Sequence, residues 1–272
     1  MNVSVLMSVY GKEKAEYLRE ALESLYHQTV LPKEIILVKD GPLTEELEAV
    51  IEEFTQTQQS LKVVELPESV QLGLALREGL KYCSCDLVAR MDSDDISVPD
   101  RLSLQYEYMK NHPQVQVLGG WIQEFDDTGS LCGIRQTPED VKKIKEYSKF
   151  RNPMNHVTVM FRKEAVIKAG GYQHYPGFED YDLWTRMLLQ NKCLHNIPNV
   201  LVQVRTNADM YARRGGITYF RKNVAFRNLQ RKKGIINFAE YVLILVGVFC
   251  VAIQPVCLRK WIYRNLLRKQ KT

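Results

Sequence analysis

The chain has 272 residues, 45% of them hydrophobic and 25% charged, the composition of a globular protein with a full core rather than a disordered or collagen-like chain. Its formal charge of +5 hides an asymmetry: residues 1–212 carry 23 Lys/Arg against 31 Asp/Glu (net −8), and residues 213–272 carry 14 against 1 (net +13). The basic tail contains the unbroken apolar run Tyr241 to Ile253, which excludes a nucleic-acid arm and leaves anionic lipid as the partner that fits both charge and apolarity.

In chain order, Val3 to Tyr10 reads as a strand, Lys14 to His27 as a helix, Glu34 to Lys39 as a strand and Thr44 to Thr57 as a helix. The alternation repeats with strand Leu61 to Leu66, helix Val70 to Tyr82, strand Leu87 to Met91 and helix Pro99 to His112. Such alternation predicts an α/β protein with a parallel sheet covered by helices on both faces, its ligand beyond the carboxyl ends of the strands. The N-terminus enters a strand at once, without a charged leader and apolar core, so the catalytic part is expected in the cytoplasm. Beyond residue 114 the pattern turns to mixed strands and loops: Val115 to Phe125, a hairpin around Asp126-Asp127-Thr128-Gly129, a helix near Pro138 to Tyr147 and a strand from His156 to Arg162. The six cysteines, at 83, 85, 132, 193, 250 and 257, are scattered and are expected as free thiols in a reducing compartment.

The most informative feature is Asp92-Ser93-Asp94-Asp95 at the end of the fourth apolar strand. Three crowded carboxylates repel one another unless neutralised, and oxygen-only ligands favour Mg²⁺ or Mn²⁺ over zinc. The competing reading is an acidic loop capping the next helix, since Ser97, Pro99 and Asp100 make a helix start. Ser8 and Tyr10 end the first strand and Asp40 the second, where ligand contacts fall in such sheets. The first turn, Ser8-Val9-Tyr10-Gly11-Lys12-Glu13, lacks Gly-x-Gly-x-x-Gly, and no phosphate loop is present, which disfavours a dinucleotide oxidoreductase. A bound nucleotide must be held by side chains and a metal.

A second acidic cluster opens the helix Gly177 to Leu189, in Gly177-Phe178-Glu179-Asp180-Tyr181-Asp182-Leu183-Trp184. Acids in a first turn complement the helix dipole without any catalytic role, but aromatic neighbours also suit sugar binding and raise a carboxylate toward a useful base. His156 is either a third metal ligand or phosphate contact, or a hydrogen-bonded strand histidine. Arg213 and Arg214, before Gly215-Gly216, either fold over a diphosphate or begin the lipid-facing tail. A helix over 241–258 would rise about 27 Å, just short of a bilayer's hydrocarbon core. Basic residues on both flanks suit a re-entrant or in-plane element, followed by an amphipathic face of Leu258, Trp261, Ile262, Leu266 and Leu267.

Ser4-Val5-Leu6-Met7-Ser8-Val9-Tyr10, Glu34-Ile35-Ile36-Leu37-Val38-Lys39-Asp40-Gly41, Met91-Asp92-Ser93-Asp94-Asp95 and Gly177-Phe178-Glu179-Asp180-Tyr181-Asp182-Leu183-Trp184 together resemble glycosyltransferase family 2, in the amylovoran-type branch of bacterial exopolysaccharide and O-antigen enzymes. The resemblance implies a GT-A fold, Rossmann-like with a mixed sheet: a catalytic domain over 1–216, its nucleotide-sugar half 1–114 and its acceptor half 115–216, then a basic membrane-associating helical region over 217–272. It implies an inverting, Mn²⁺- or Mg²⁺-dependent transfer of one hexose, glucose or galactose, from a UDP-sugar to GlcNAc-diphosphate-undecaprenol at the cytoplasmic face of the inner membrane. By the same resemblance Asp40 contacts the uracil, Asp92 the ribose or donor sugar, Asp94 the metal, and Asp180 is the base with Glu179 its neighbouring candidate. The family's Asn-containing helix start after the third strand is replaced here by Gln71-Leu72-Gly73-Leu74-Ala75-Leu76-Arg77, which leaves Arg77 as a phosphate contact. The Gln-x-x-Arg-Trp motif of processive members is absent, so one sugar is expected per acceptor. The alternative is a membrane-bound sugar-nucleotide-binding protein without turnover.

Overall fold

The computed structural model describes residues 1–206, 215–255 and 258. The four apolar runs of the first half form β1 (Val3–Tyr10), β2 (Glu34–Asp40), β3 (Leu61–Glu65) and β4 (Leu87–Asp92), parallel and in the order β3-β2-β1-β4. Helices α1 (Ala15–Tyr26), α2 (Glu45–Thr57), α3 (Leu72–Gly79) and α4 (Arg101–Asn111) connect and cover them. Period-two alternation divides the strand side chains between two cores. Val5, Met7 and Val9 pack with Leu18, Leu22, Leu47 and Ile51 of α1 and α2, whereas Leu6, Ile36 and Val38 pack with Leu76 and Leu80 on the α3 side.

The sheet continues through β8 (Met160–Arg162), β6 (Val115–Phe125), β9 (Cys193–Arg205) and β5 (Ile96–Ser97), with β7 (Leu131–Arg135) on β6. Strand β8 is antiparallel to both β4 and β6, while β6 and β9 are parallel, so the sheet is mixed. The helices of this half are α5 (Val141–Tyr147), α6 (Lys163–Lys168), α7 (Glu179–Leu189), α8 (Gly216–Lys232) and α9 (Phe238–Ala252). The strand expected over His156–Arg162 is only half formed. Its first part is a 3₁₀ turn, His156–Thr158, held because the Thr158 hydroxyl donates to the Asn155 carbonyl (2.8 Å) and accepts from the Gly120 amide (3.0 Å). The hairpin around Asp126 is present, with Gly129 at φ +78°. The five described cysteines are free thiols.

Helix α8, expected as part of the tail, is clasped to the rest of the chain. Buried Arg227 donates to the carbonyls of Lys149 and Phe150 (both 2.8 Å) and to the Tyr181 hydroxyl (3.1 Å), and Phe226 stacks on Phe178 at 4.6 Å. A capping box of Asn237 and Glu240 starts α9, whose Phe238, Val242, Leu243, Val246 and Phe249 are exposed. No described helix is long and apolar enough to cross a membrane; the 15 residues of α9 rise only about 22 Å.

One buried carboxylate ties the parallel strands. Glu34 accepts from Ser4 Oγ, the Ser84 amide and Lys62 Nζ, each at 2.6 Å. Burial alone pushes its carboxyl up, but these three donors overcome that and hold it at about 2. Replacing Glu34→Gln should therefore cost about 2–3 kcal/mol at pH 7. The depressed group stabilises the fold above its ordinary value of about 4.5 and loses that contribution as pH falls toward about 2. Urea titrations of wild type and variant should accordingly converge over that interval, and a difference independent of pH would contradict the assignment.

Candidate active site

The carboxyl end of β4 carries the first acidic cluster. Asp92 ends the strand opposite Ser8 of β1, and the ligand oxygens of Asp92, Asp94 and Asp95 lie within 4.8 Å of one another, among the described residues the one group of this kind. The turn is fixed from the α1 face: Ser93 Oγ donates to Glu13 (3.1 Å), the Arg205 amide donates to Asp95 (2.9 Å), and Arg205 pairs with Glu20. None of the three carboxylates caps α4, whose Leu102 amide instead donates to Gln28 Oε1 at 3.1 Å. Burial, the Asp92 charge and Glu13 push Asp94 up to about 7, and burial with Asp94 and Asp92 pushes Asp95 well above the carboxylate range. A hard divalent cation fits this set: every donor is an oxygen, and the crowding is the kind a cation relieves. Asp95, without a role in the sequence reading, is thus part of the group.

Beneath the cluster lies a residue that sequence reasoning missed. Arg90 is 1% exposed, its Nη2 pairs with Asp92, and its Nε and Nη1 are buried without a partner. Arg101, also buried, donates to the Arg90 carbonyl at 2.6 Å. The Arg90 charge lowers Asp94 and Asp95 against the effect of their burial, and it acts in the same direction on Glu179 and Asp180. Its signal in the sequence was a charge inside the buried run Leu87 to Met91, where arginine is rarely left unpaired.

The second cluster starts α7. Asp180 accepts from Asn152 Nδ2 (2.5 Å) and the Tyr181 amide (2.7 Å), and Glu179 accepts from the Gly177 amide (2.7 Å). Burial raises both carboxyls above their ordinary values, with the Asp180 charge adding to the effect on Glu179. Asp182 turns inward, where Arg186 pairs with it at 2.7 Å and ties α7 to the Ala169 and Gly171 carbonyls. Of the three acids in this first turn, then, Asp182 is structural.

The other expected residues divide. Ser8 is half-buried beside Asp92, and Tyr10 is exposed at the end of β1. Asp40 is buried and organises the loop after β3, accepting from Ser69 Oγ (3.0 Å) and the Val70 amide (2.6 Å). His156 stands outside the metal-capable group: its Nε2 meets the Tyr172 hydroxyl at 2.9 Å, and burial and Arg90 push its pKa well below the ordinary histidine value. It is a neutral ring in a buried pair rather than a member of the carboxylate set. Arg77 is exposed in the last turn of α3. Arg213 and Arg214 lie outside the described residues.

A mixed sheet whose parallel half ends in an aspartate cluster is the architecture of the GT-A fold. The fold matches S. aureus TarS 1-349 in complex with UDP-GlcNAc (TM-score 0.66, 18% identity, 97% of this chain and 79% of that one). It also matches a mannosyltransferase from Pyrobaculum calidifontis in complex with GDP-Man and Mn²⁺ (TM-score 0.64, 16% identity, 95% and 72%). The model of glycosyl transferase family 2 matches residues 4–174, and the chain belongs to that family. It is 39% identical over 265 residues to the amylovoran biosynthesis glycosyltransferase AmsE of Erwinia amylovora, covering 96% of this chain and 98% of that one. It is 34% identical over 266 residues to the UDP-Gal:alpha-D-GlcNAc-diphosphoundecaprenol beta-1,3-galactosyltransferase of Escherichia coli, covering 98% and 96%. The protein is a glycosyltransferase.

Removing the shared counter-charge should be costly. Arg90→Met leaves the half-buried Asp92 beside other carboxylates without its partner and is expected to destabilise the chain by about 2 kcal/mol, less than the loss of a fully buried partner because Asp92 keeps contact with water. Millimolar Mn²⁺ should recover part of that loss in a thermal melt, because a bound cation returns positive charge to the cluster and binds only the folded state. A variant as stable as wild type, or one indifferent to Mn²⁺, would contradict the counter-charge role of Arg90.

Proposed function

We propose that this enzyme transfers one hexose, glucose or galactose, from a UDP-sugar to a lipid-linked GlcNAc-diphosphate acceptor with inversion at the anomeric carbon. The observation that carries the reading is the pair of carboxylate clusters, one metal-capable and one suited to a base. Asp94, with Asp92 and Asp95 beside it, would hold Mn²⁺ or Mg²⁺, which supplies electrostatic stabilisation of the diphosphate leaving group. Asp92 and Ser8 face the donor, and Asp40 and Tyr10 stand at the neighbouring strand ends toward its nucleoside.

Asp180 acts as the base. The acceptor hydroxyl gives its proton to the Asp180 carboxylate as its oxygen bonds to the anomeric carbon; the bond from that carbon to the diphosphate oxygen breaks, and its electron pair leaves with UDP. Asn152 and the Tyr181 amide fix the Asp180 oxygens, and burial makes the carboxylate more basic than an exposed one. The Escherichia coli relative, whose name specifies UDP-Gal and GlcNAc-diphosphoundecaprenol, supports this choice of donor and acceptor.

Asp180→Asn should abolish transfer, with a loss of about 10³-fold or more, while UDP affinity in the presence of Mn²⁺ stays within twofold. Asp94→Asn should abolish the Mn²⁺-dependent part of UDP binding. Since Asp180 must be ionised, the rate of the wild-type enzyme should fall with decreasing pH through a value above the ordinary aspartate range. Turnover retained by Asp180→Asn would refute the base assignment.

The exposed apolar face of α9 and the basic chain around it suit a peripheral position on an anionic membrane. Exposed Lys222, Arg231 and Lys232 supply charge of the right sign. Leu243→Asp together with Val246→Asp should release the protein from vesicles containing 30% phosphatidylglycerol in a sedimentation assay. Undiminished vesicle binding would assign the attachment to another part of the chain.

A further inference from the structure

Arg227 lies on α8, outside both acidic clusters, yet its guanidinium reaches both segments that hold the Asp180 carboxylate. It is 4% exposed. Its Nη1 donates to the Lys149 carbonyl (2.8 Å), the Tyr181 hydroxyl (3.1 Å) and Gln230 Oε1 (2.6 Å), and its Nη2 donates to the Phe150 carbonyl (2.8 Å). The Tyr181 hydroxyl in turn donates to the Ser148 carbonyl at 2.6 Å. This network joins α8, the first turn of α7 and the chain just after α5. The last two supply the donors of Asp180. Asn152, which donates to Asp180 Oδ2, closely follows the carbonyls that Arg227 holds, and the amide on Asp180 Oδ1 belongs to Tyr181, whose hydroxyl Arg227 also holds.

A planar guanidinium offers several donors in one rigid fork and so fixes the carbonyls and the hydroxyl relative to one another. A base must be held in its productive geometry to within a fraction of an ångström, and residues that never touch the substrate can set that geometry. We propose that Arg227 is a positioning residue of the transfer reaction: it clamps the turn after α5 to the first turn of α7, so that Asn152 and the Tyr181 amide meet the Asp180 oxygens together. The proposal rests on Asp180 as the base. Phe226, stacked on Phe178 at 4.6 Å, and Lys233, 3.7 Å from Asp182, press the same helix onto α7 on either side of the clamp.

Arg227→Lys keeps the positive charge and removes the fork. With rates normalised to the number of UDP-binding sites in Mn²⁺, so that only folded chain is counted, its kcat should fall about tenfold or more. The donor KM and the UDP affinity should stay within about twofold, because the clamp does not act on the β4 carboxylates. Asn152 and the Tyr181 amide stabilise the ionised form of Asp180, so loosening them should move the acidic limb of kcat/KM to higher pH by about half a unit. The other groups that act on Asp180 or feel its charge are Glu179 on α7, Arg90 on β4, Arg135 on β7 and the Tyr172 hydroxyl; the substitution leaves all four in place. Tyr181→Phe, which keeps the ring and the amide and removes only the hydroxyl, should shift the limb in the same direction with a smaller loss of kcat, and it decides the matter should Arg227→Lys bind no UDP. An unmoved acidic limb, or a loss shared by donor KM and UDP affinity, would overturn the clamp. Turnover retained by Asp180→Asn would instead remove the base reading itself, whereas an inactive Asp180→Asn beside a wild-type-like Arg227→Lys would remove the clamp alone.

Discussion

A guanidinium sealed from water and paired with Asp92 is the constraint on which the rest of the site depends. Its charge also favours the ionised forms of Asp94, Asp95, Glu179 and Asp180, which burial pushes the other way. Arg90 is itself held by the sheet: its amide donates to the Val159 carbonyl at 2.8 Å and its carbonyl accepts from Arg101. Burial and the charge of Arg90 lower Arg101 to about 9, a measure of how tightly like charges are packed beneath the cluster. Burial and the neighbouring carboxylates still push Asp94 and Asp95 up, a crowding that a divalent cation would relieve.

The parallel half of the fold was legible because its strands are continuous apolar runs separated by amphipathic helices, and burial on both faces gives that pattern. The β4 acids were legible because three carboxylates after an apolar strand have few structural uses. Strand β9 was not: its Cys193–Arg205 sequence mixes buried Leu194, Asn196 and Leu201 with exposed Pro198 and Asn199, and its pairing with β6 shifts register three times, which erases the period of two. The half-formed strand at His156 failed for a local reason, the Thr158 hydroxyl competing for backbone groups. His156 looked like a ligand because a sequence shows a histidine's type and not its partner, here Tyr172. Arg90 was invisible for the same reason: it has meaning only through residues elsewhere in the chain.

Helix α8 connects the two regimes of the molecule. Its Phe226 packs on Phe178, the residue immediately before α7, and its Arg227 bonds the Tyr181 hydroxyl one turn into that helix. The same helix leads into α9, whose apolar side chains face outward. The element that orients Glu179 and Asp180 is therefore braced by the helix that precedes the exposed apolar surface, and Lys149–Glu240 (2.8 Å) adds a direct tie between the catalytic body and α9.

The central claim is that the β4 carboxylates hold a divalent metal facing a nucleotide diphosphate, with Asp180 on the opposite side. Anomalous diffraction at the manganese edge, from crystals grown with UDP and Mn²⁺, tests it most directly. The expected result is a single strong peak within about 2.0–2.3 Å of an Asp94 oxygen and in contact with the diphosphate. A peak at any other set of side chains, or ordered UDP with no peak beside Asp94, would contradict it.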